Sequence, residues 1–140
     1  MPMFRRFVAL LLLAIAPAPA MAQAPADRAA IERVIRDQMA AFAADDAAAA
    51  FAFAAPSIQA IFGTPENFLA MVRSGYAPVY RPRAVAFAEL GLHEGMLVQR
   101  VLVTGPDGIA EAAHYVMERQ PDGRWRIAGC FLTRSEDRVS

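Results

Sequence analysis

Lysine is absent from this chain: all 14 basic residues are arginine. A lysine Schiff base, a lysine nucleophile and a phosphate-loop lysine are thereby excluded. Cysteine is nearly absent, because Cys130 stands alone, so no internal disulfide can form and stability must come from side-chain packing. The only histidines, His93 and His114, lie 21 positions apart with no carboxylate–histidine pattern beside them, and neither a metal nor any other cofactor is expected. No glycine-rich phosphate cradle follows a strand, and no Gly-x-Ser-x-Gly elbow occurs. A surplus of one charge is missing too: 14 acidic residues balance the 14 basic ones, which removes the basic face that nucleic-acid binding needs. The 140 residues suit one domain, and although 56% are hydrophobic, much of that is alanine, as in the run Ala47 to Ala50. Phe, Ile, Leu, Val and Met must therefore fill the core.

Residues 1–22 read as a secretory leader. Arg5 and Arg6 give the positive start, Phe7 to Ala16 the apolar stretch, and Ala20-Met21-Ala22 the small-x-small cleavage pattern, with cleavage expected before Gln23. The apolar run is ten residues, half of the roughly 20 that a membrane span needs. The twin arginine lacks the rest of a folded-export signal, so general secretion to the periplasm or the medium is expected. Cys130 is far from the cleavage point, which excludes a lipid anchor there, and no membrane anchor is expected after cleavage.

The expected organisation is a short tether at 23–30, a single α+β domain at 31–134 and a tail at 135–140. Ile31, Val34, Ile35, Met39 and Phe42 recur at spacings of three and four between charged residues, the pattern of an amphipathic helix. Asp45-Asp46 restarts the pattern, either as a second helix or as a kink, with Ala47, Ala50, Phe51 and Ala54 on one face until Pro56. Ser57 to Phe62 makes a short helical piece ending at Gly63, and Thr64-Pro65-Glu66 starts another that buries Phe68, Met71 and Val72 before Gly75. After Arg83 the texture is β: strands are expected at 85–92, 96–104, 109–120 and 124–133, separated by turn chemistry at Gly105-Pro106-Asp107-Gly108 and Pro121-Asp122-Gly123. Helices first and strands last predict helices covering one face of a curved antiparallel four-stranded sheet. A three-residue final turn sets Gln120 against Arg124 and Glu118 against Arg126; with a four-residue first turn, Gln99, His114 and Cys130 form one polar row across the sheet.

Two places carry candidate site residues. In Gly75 to Arg83, Tyr76 and Tyr80 with Arg81 and Arg83 sit in a proline-stiffened connection, where they either rim a pocket for an anionic group or form a rigid crossover. Gln99 and His114 belong to the sheet, and His114 reads either as a general acid or base or as a satisfied structural histidine. Tyr115 is adjacent to it, so in a regular strand it points to the opposite face. Cys130, between apolar neighbours, is expected to be buried and inert.

The stretch from Asp45 to Arg83, above all Asp45 to Ala54, Phe68 to Val72 and Tyr76 to Pro82, together with the closing Asp122 to Leu132, resembles a family of small exported bacterial proteins known as a domain of unknown function. The order of elements and the Asp-Gly-x-Trp-x-Ile ending are also similar to the superfamily of nuclear transport factor 2. That likeness implies a cone-shaped α+β domain with an apolar cavity, among relatives divided between ligand binders, isomerases, dehydratases and dimerising subunits; it supplies no catalytic residue. The reading taken forward is non-enzymatic binding of a small apolar or amphipathic molecule, or of a protein partner, with a homodimer formed through exposed sheet surface. The alternative is isomerase- or dehydratase-like chemistry by His114 or a nearby carboxylate with a tyrosine.

Overall fold

The computed structural model describes residues 24–134; the leader expected at 1–22 and the tail expected at 135–140 lie outside them. Helix α1 spans Pro25–Ala43, starting ahead of the expected end of the tether because Pro25 presets the first helical turn. It buries Ile31, Ile35 and Phe42. The chain then breaks at Asp45, which takes a left-handed φ of 54°, a conformation that Asp tolerates better than most residues. Two separate helices result. Asp46 caps the second, α2 (Ala47–Ala52), accepting from the Ala49 amide at 3.1 Å. Pro56 opens α3 (Pro56–Phe62), Gly63 ends it at φ 78°, and the Thr64 hydroxyl caps α4 (Pro65–Gly75) through the Asn67 amide. The proline-rich connection holds one further turn, α5 (Ala77–Tyr80), with Pro78 near its start. Phe68 of α4 joins these pieces, its ring centroid 5.5–6.0 Å from those of Phe42, Phe51 and Phe62.

Strands β1 (Ala84–His93), β2 (Met96–Thr104), β3 (Ala110–Arg119) and β4 (Trp125–Arg134) form one antiparallel sheet in sequence order. The fold is α+β, with helices before strands. Backbone bonds join the two layers: the Ile127 amide donates to Phe53, and the Ala55 amide donates to Ile127 at 2.8 Å. These fill hydrogen-bonding positions on the outer edge of β4 that a lone edge strand leaves open.

Register is where sequence and structure part. Pro106-Asp107-Gly108 and Pro121-Asp122-Gly123 make the same three-residue turn: each Asp accepts from the amide two residues on at 2.9 Å, and each Gly takes a φ of 83° or 88°. The first turn is thus one residue shorter than the four-residue loop expected, and Gln99 pairs with Tyr115. On the other side, Glu118 does pair with Arg126, but an extra residue at Ala128 then shifts β4, so Tyr115 pairs with Cys130 and His114 with Phe131. The expected row of Gln99, His114 and Cys130 is therefore corrected to Gln99, Tyr115 and Cys130. His114 stands on the opposite face, in a row with Arg100 and Phe131.

The helices cover the Tyr115 face, where Val101, Val103, Ala113 and Tyr115 are buried. The other face carries Arg100, His114, Val116 and Phe131, and no described element lies over it.

Candidate functional site

Between the helices and the covered face lies a cavity of about 300 Å³. Phe42 from α1, Phe62 from α3 and Phe68 and Met71 from α4 line the helical side; Tyr115, Ile127 and Cys130 line the sheet side. Their spacing explains the placement. Phe68 and Met71 are three apart on one helix stripe, while Tyr115 alternates with Ala113 and Met117 toward the helices. Ile61, 71% exposed, stands at the margin.

No residue lining the cavity carries a charge at neutral pH, and its polar groups are few. Gln38, itself buried, donates to the Ala50 carbonyl at 3.1 Å, which ties α1 to α2. The Tyr76 hydroxyl donates to the Cys130 carbonyl at 3.1 Å. Tyr115 differs from these two: it is 1% exposed, and among the described residues its hydroxyl meets no oxygen or nitrogen partner. It interacts instead with the Cys130 thiol, a weak donor and acceptor and so a weak hydrogen-bond partner. Burial pushes the Tyr115 phenol well above its ordinary value, and the neighbouring Cys130 adds to the shift. Tyr76 is raised by burial first and by Cys130 second. The Cys130 residue is partly exposed, but burial pushes its thiol up to about 12. All three groups therefore keep their protons at neutral pH.

Of the residues singled out in the sequence, Tyr76 lines this cavity and Tyr80, Arg81, Arg83, Gln99 and His114 do not. Tyr80 and Arg81 belong to a clasp at the α1–α2 break. The Tyr80 hydroxyl donates to Asp45, Arg81 reaches both Asp45 oxygens and the Phe42 carbonyl (2.7 Å), and the Arg81 and Arg73 guanidinium groups lie 4.5 and 5.5 Å from the Tyr80 ring centre. The Tyr80 hydrogen bond, then Arg81 and Arg73, hold the Asp45 carboxyl below its ordinary value. Arg83 is exposed and, among the described residues, its side chain donates to the Pro106 carbonyl, at 3.5 Å. Gln99 is fully buried, and its Nε2 donates to the Ala88 and Glu89 carbonyls, where β1 carries an extra residue, and to Arg100. A bulge disrupts the ladder locally, and a buried side-chain amide at that point supplies donors to carbonyls there. His114 stacks on Phe131 at 4.6 Å and shares a hydrogen bond with Thr133 at 2.9 Å, while Arg100 beside it holds Glu89 through two bonds, the shorter 2.7 Å.

Sequence reasoning notices Tyr115 but gives it no place among the site residues, and it assigns Phe42, Phe68 and Met71 to core. The available signal is the repeated Pro-Asp-Gly turn: treating both turns alike pairs Tyr115, not His114, with Gln99. Among the described residues no group of three or more His, Cys, Asp or Glu side chains is placed to hold a metal, and no helix is long and apolar enough to cross a membrane.

No curated protein and no solved structure matches the chain. A family model described as a domain of unknown function, DUF4864, matches residues 24–139, which takes in every element described above and the cavity between them. By that match over most of its length, the chain belongs to the DUF4864 family.

Proposed function

We propose that this domain binds a small, neutral, largely apolar molecule carrying one hydrogen-bonding head group in the cavity between helices and sheet. The observation that carries the reading is the Tyr115 hydroxyl, buried in the wall of an uncharged cavity with only the Cys130 thiol, a weak partner, beside it. A buried hydroxyl left wholly unpaired costs about 1–3 kcal/mol; one held only by a weak thiol keeps part of that cost, and a ligand acceptor placed against it removes it. The volume, about 300 Å³, is at the small end of ligand pockets. A charged ligand would lose its hydration and meet no counter-charge there, so the head is a hydroxyl, carbonyl or ester.

Binding is favoured over isomerase- or dehydratase-like catalysis by the protonation of the lining groups. A general acid or base works best with a pKa near the operating pH, and Tyr76, Tyr115 and Cys130 are all shifted upward, away from it. The same reading takes the likeness to the nuclear transport factor 2 superfamily as one of architecture, supported by helices preceding strands and by the cavity between them.

Calorimetry with 1-octanol tests the proposal. Wild type should bind it, and Tyr115→Phe should weaken binding about five- to tenfold, the value of one neutral hydrogen bond. The same variant should be close to wild type in stability when empty, because it deletes a buried hydroxyl held only by a weak thiol contact. Absence of octanol binding by wild type, or equal affinity in both proteins, overturns the reading.

A further inference from the structure

The wall of the helix–sheet cavity is not equally firm all round. Helices α1, α2, α4 and α5 each bury at least one residue, whereas α3 buries none. Yet α3 supplies Ile58, Ile61 and Phe62 to the cavity lining, and the exposure of Ile61 puts this helix between the cavity and solvent. Both ends of α3 join anchored chain. Ahead of it, Ala54 and Ala55 are buried, and the Ala55 amide holds the Ile127 carbonyl of β4. Behind it, the Thr64 hydroxyl caps α4. Two bendable points separate the helix from these anchors: the Ala55–Pro56 junction, where the chain is extended at ψ 159°, and Gly63, which has open space around it and a left-handed φ of 78°.

We propose that α3 is a lid on the cavity, turning about Ala55–Pro56 and Gly63, with Gln59 as the latch that keeps it shut. The Gln59 side-chain amide donates to the Phe51 and Ala54 carbonyls at 2.9 and 3.2 Å, which ties α3 back to the end of α2. At the other end the Asn67 side-chain amide donates to the Phe62 carbonyl at 3.1 Å, and the Phe62 ring lies edge-on to Phe68 at 5.7 Å. A segment with few buried apolar groups, held by side-chain hydrogen bonds, opens at a lower free energy than the rest of its fold. The other walls are costlier to move, since each would have to withdraw a buried side chain: Phe42 of α1, Phe68 of α4, Val79 of α5 or Tyr115 of β3. Lifting α3 disturbs none of these. That the lid admits a ligand rests on the binding reading above; that it opens does not.

Cys130, in the cavity lining, reports the opening without any ligand, because a thiol reagent reaches it from the α3 side only when the lid is displaced. Its labelling rate in the empty protein, followed at about pH 8 against urea concentration, tracks the open population when closing outpaces labelling. A lid exposes little surface, so the rate should be nearly flat in urea well below the unfolding transition and rise steeply only as global unfolding takes over. Gln59→Met, which removes both latch bonds, should raise the flat rate about tenfold, and Asn67→Ala should raise it about threefold. Asn67→Ala carries the test if Gln59→Met fails to fold. Arg81→Gln, which loosens the clasp instead, should leave the flat rate unchanged. Saturating 1-octanol should slow labelling of wild type; a latch-dependent rate indifferent to octanol upholds the lid and counts against the binding reading alone. Labelling that follows global unfolding at every urea concentration, a flat rate that neither α3 variant raises, or one that Arg81→Gln raises as much as Gln59→Met overturns the proposal.

Discussion

Replacing Gln99 by glutamate changes one nitrogen to oxygen and should destabilise the sheet in a pH-dependent way. Gln99 is fully buried, and its amide nitrogen faces three carbonyl oxygens: Ala88 and Glu89 at the β1 bulge, at 3.1 and 3.4 Å, and Arg100 at 2.9 Å. A carboxylate in that place has nothing to donate, repels the carbonyls and is desolvated, so folding requires it to take up a proton. The substituted side chain would have a folded-state pKa above its unfolded value near 4.3. The variant should therefore approach wild-type stability below about pH 4.3 and lose about 1.4 kcal/mol per pH unit above it, until the folded-state pKa is passed. A rise of about three units, within the range known for buried carboxyls, removes about 4 kcal/mol by pH 7.5, a large share of a small domain's 5–15 kcal/mol. Urea midpoints measured between pH 4.5 and 8, set against wild type, read the effect. Gln99→Met, which loses the donors without adding charge, should show a difference from wild type that does not vary with pH. If Gln99→Glu tracked wild type across this range, Gln99 would not be serving the bulge, and the register assigned to β1 and β2 would be wrong.

Arg81→Gln should lower the melting temperature, because Arg81 loses its Phe42 and Asp45 bonds and its Tyr80 contact, whereas the exposed Arg83→Gln should stay within about 0.5 kcal/mol of wild type. Equal losses would contradict the clasp. Asp45→Asn should be destabilising at neutral pH and should converge with wild type as acid titrates the depressed Asp45 carboxyl; a gap that persists unchanged into strong acid would refute this. With its thiol near 12, Cys130 carries about one thiolate in ten thousand at pH 8, so a thiol reagent should label the native protein far more slowly than the unfolded one, and equal rates would show an accessible thiol. For export, mass spectrometry of the secreted-fraction protein should show loss of the first 22 residues, and an intact precursor at steady state would defeat the leader assignment.

Strong local chemistry made most elements legible. The three- and four-residue spacing through Ile31, Ile35 and Phe42 defines α1, Thr64-Pro65 starts α4, and the Pro-Asp-Gly turns mark two hairpins. Illegible features were those that leave no local signature. The extra residues at Ala88-Glu89 and Ala128 have only a single strand glycine near them, Gly91 and Gly129, which does not fix which residue is extra; they are held by contacts from elsewhere, the Gln99 side chain in one case and the Phe53–Ala55 backbone in the other. One such residue, with a turn one residue shorter than expected, moves His114 to one face and leaves Tyr115 as the inward polar group. Tyr80 and Arg81 were legible as a cluster but not as a clasp, because their partner Asp45 lies about 35 residues earlier and a carboxylate pair before a helix reads first as a cap.

The central claim is that the helix–sheet cavity holds a neutral ligand against Tyr115, and NMR of the protein with bound 1-octanol tests it most directly. Intermolecular nuclear Overhauser contacts should run from the octanol chain to Phe68 and Met71 and from its carbinol protons to the Tyr115 ring. Contacts confined to Phe131, Leu92 and Met96 on the uncovered face, or none in the cavity at saturating octanol, would contradict it.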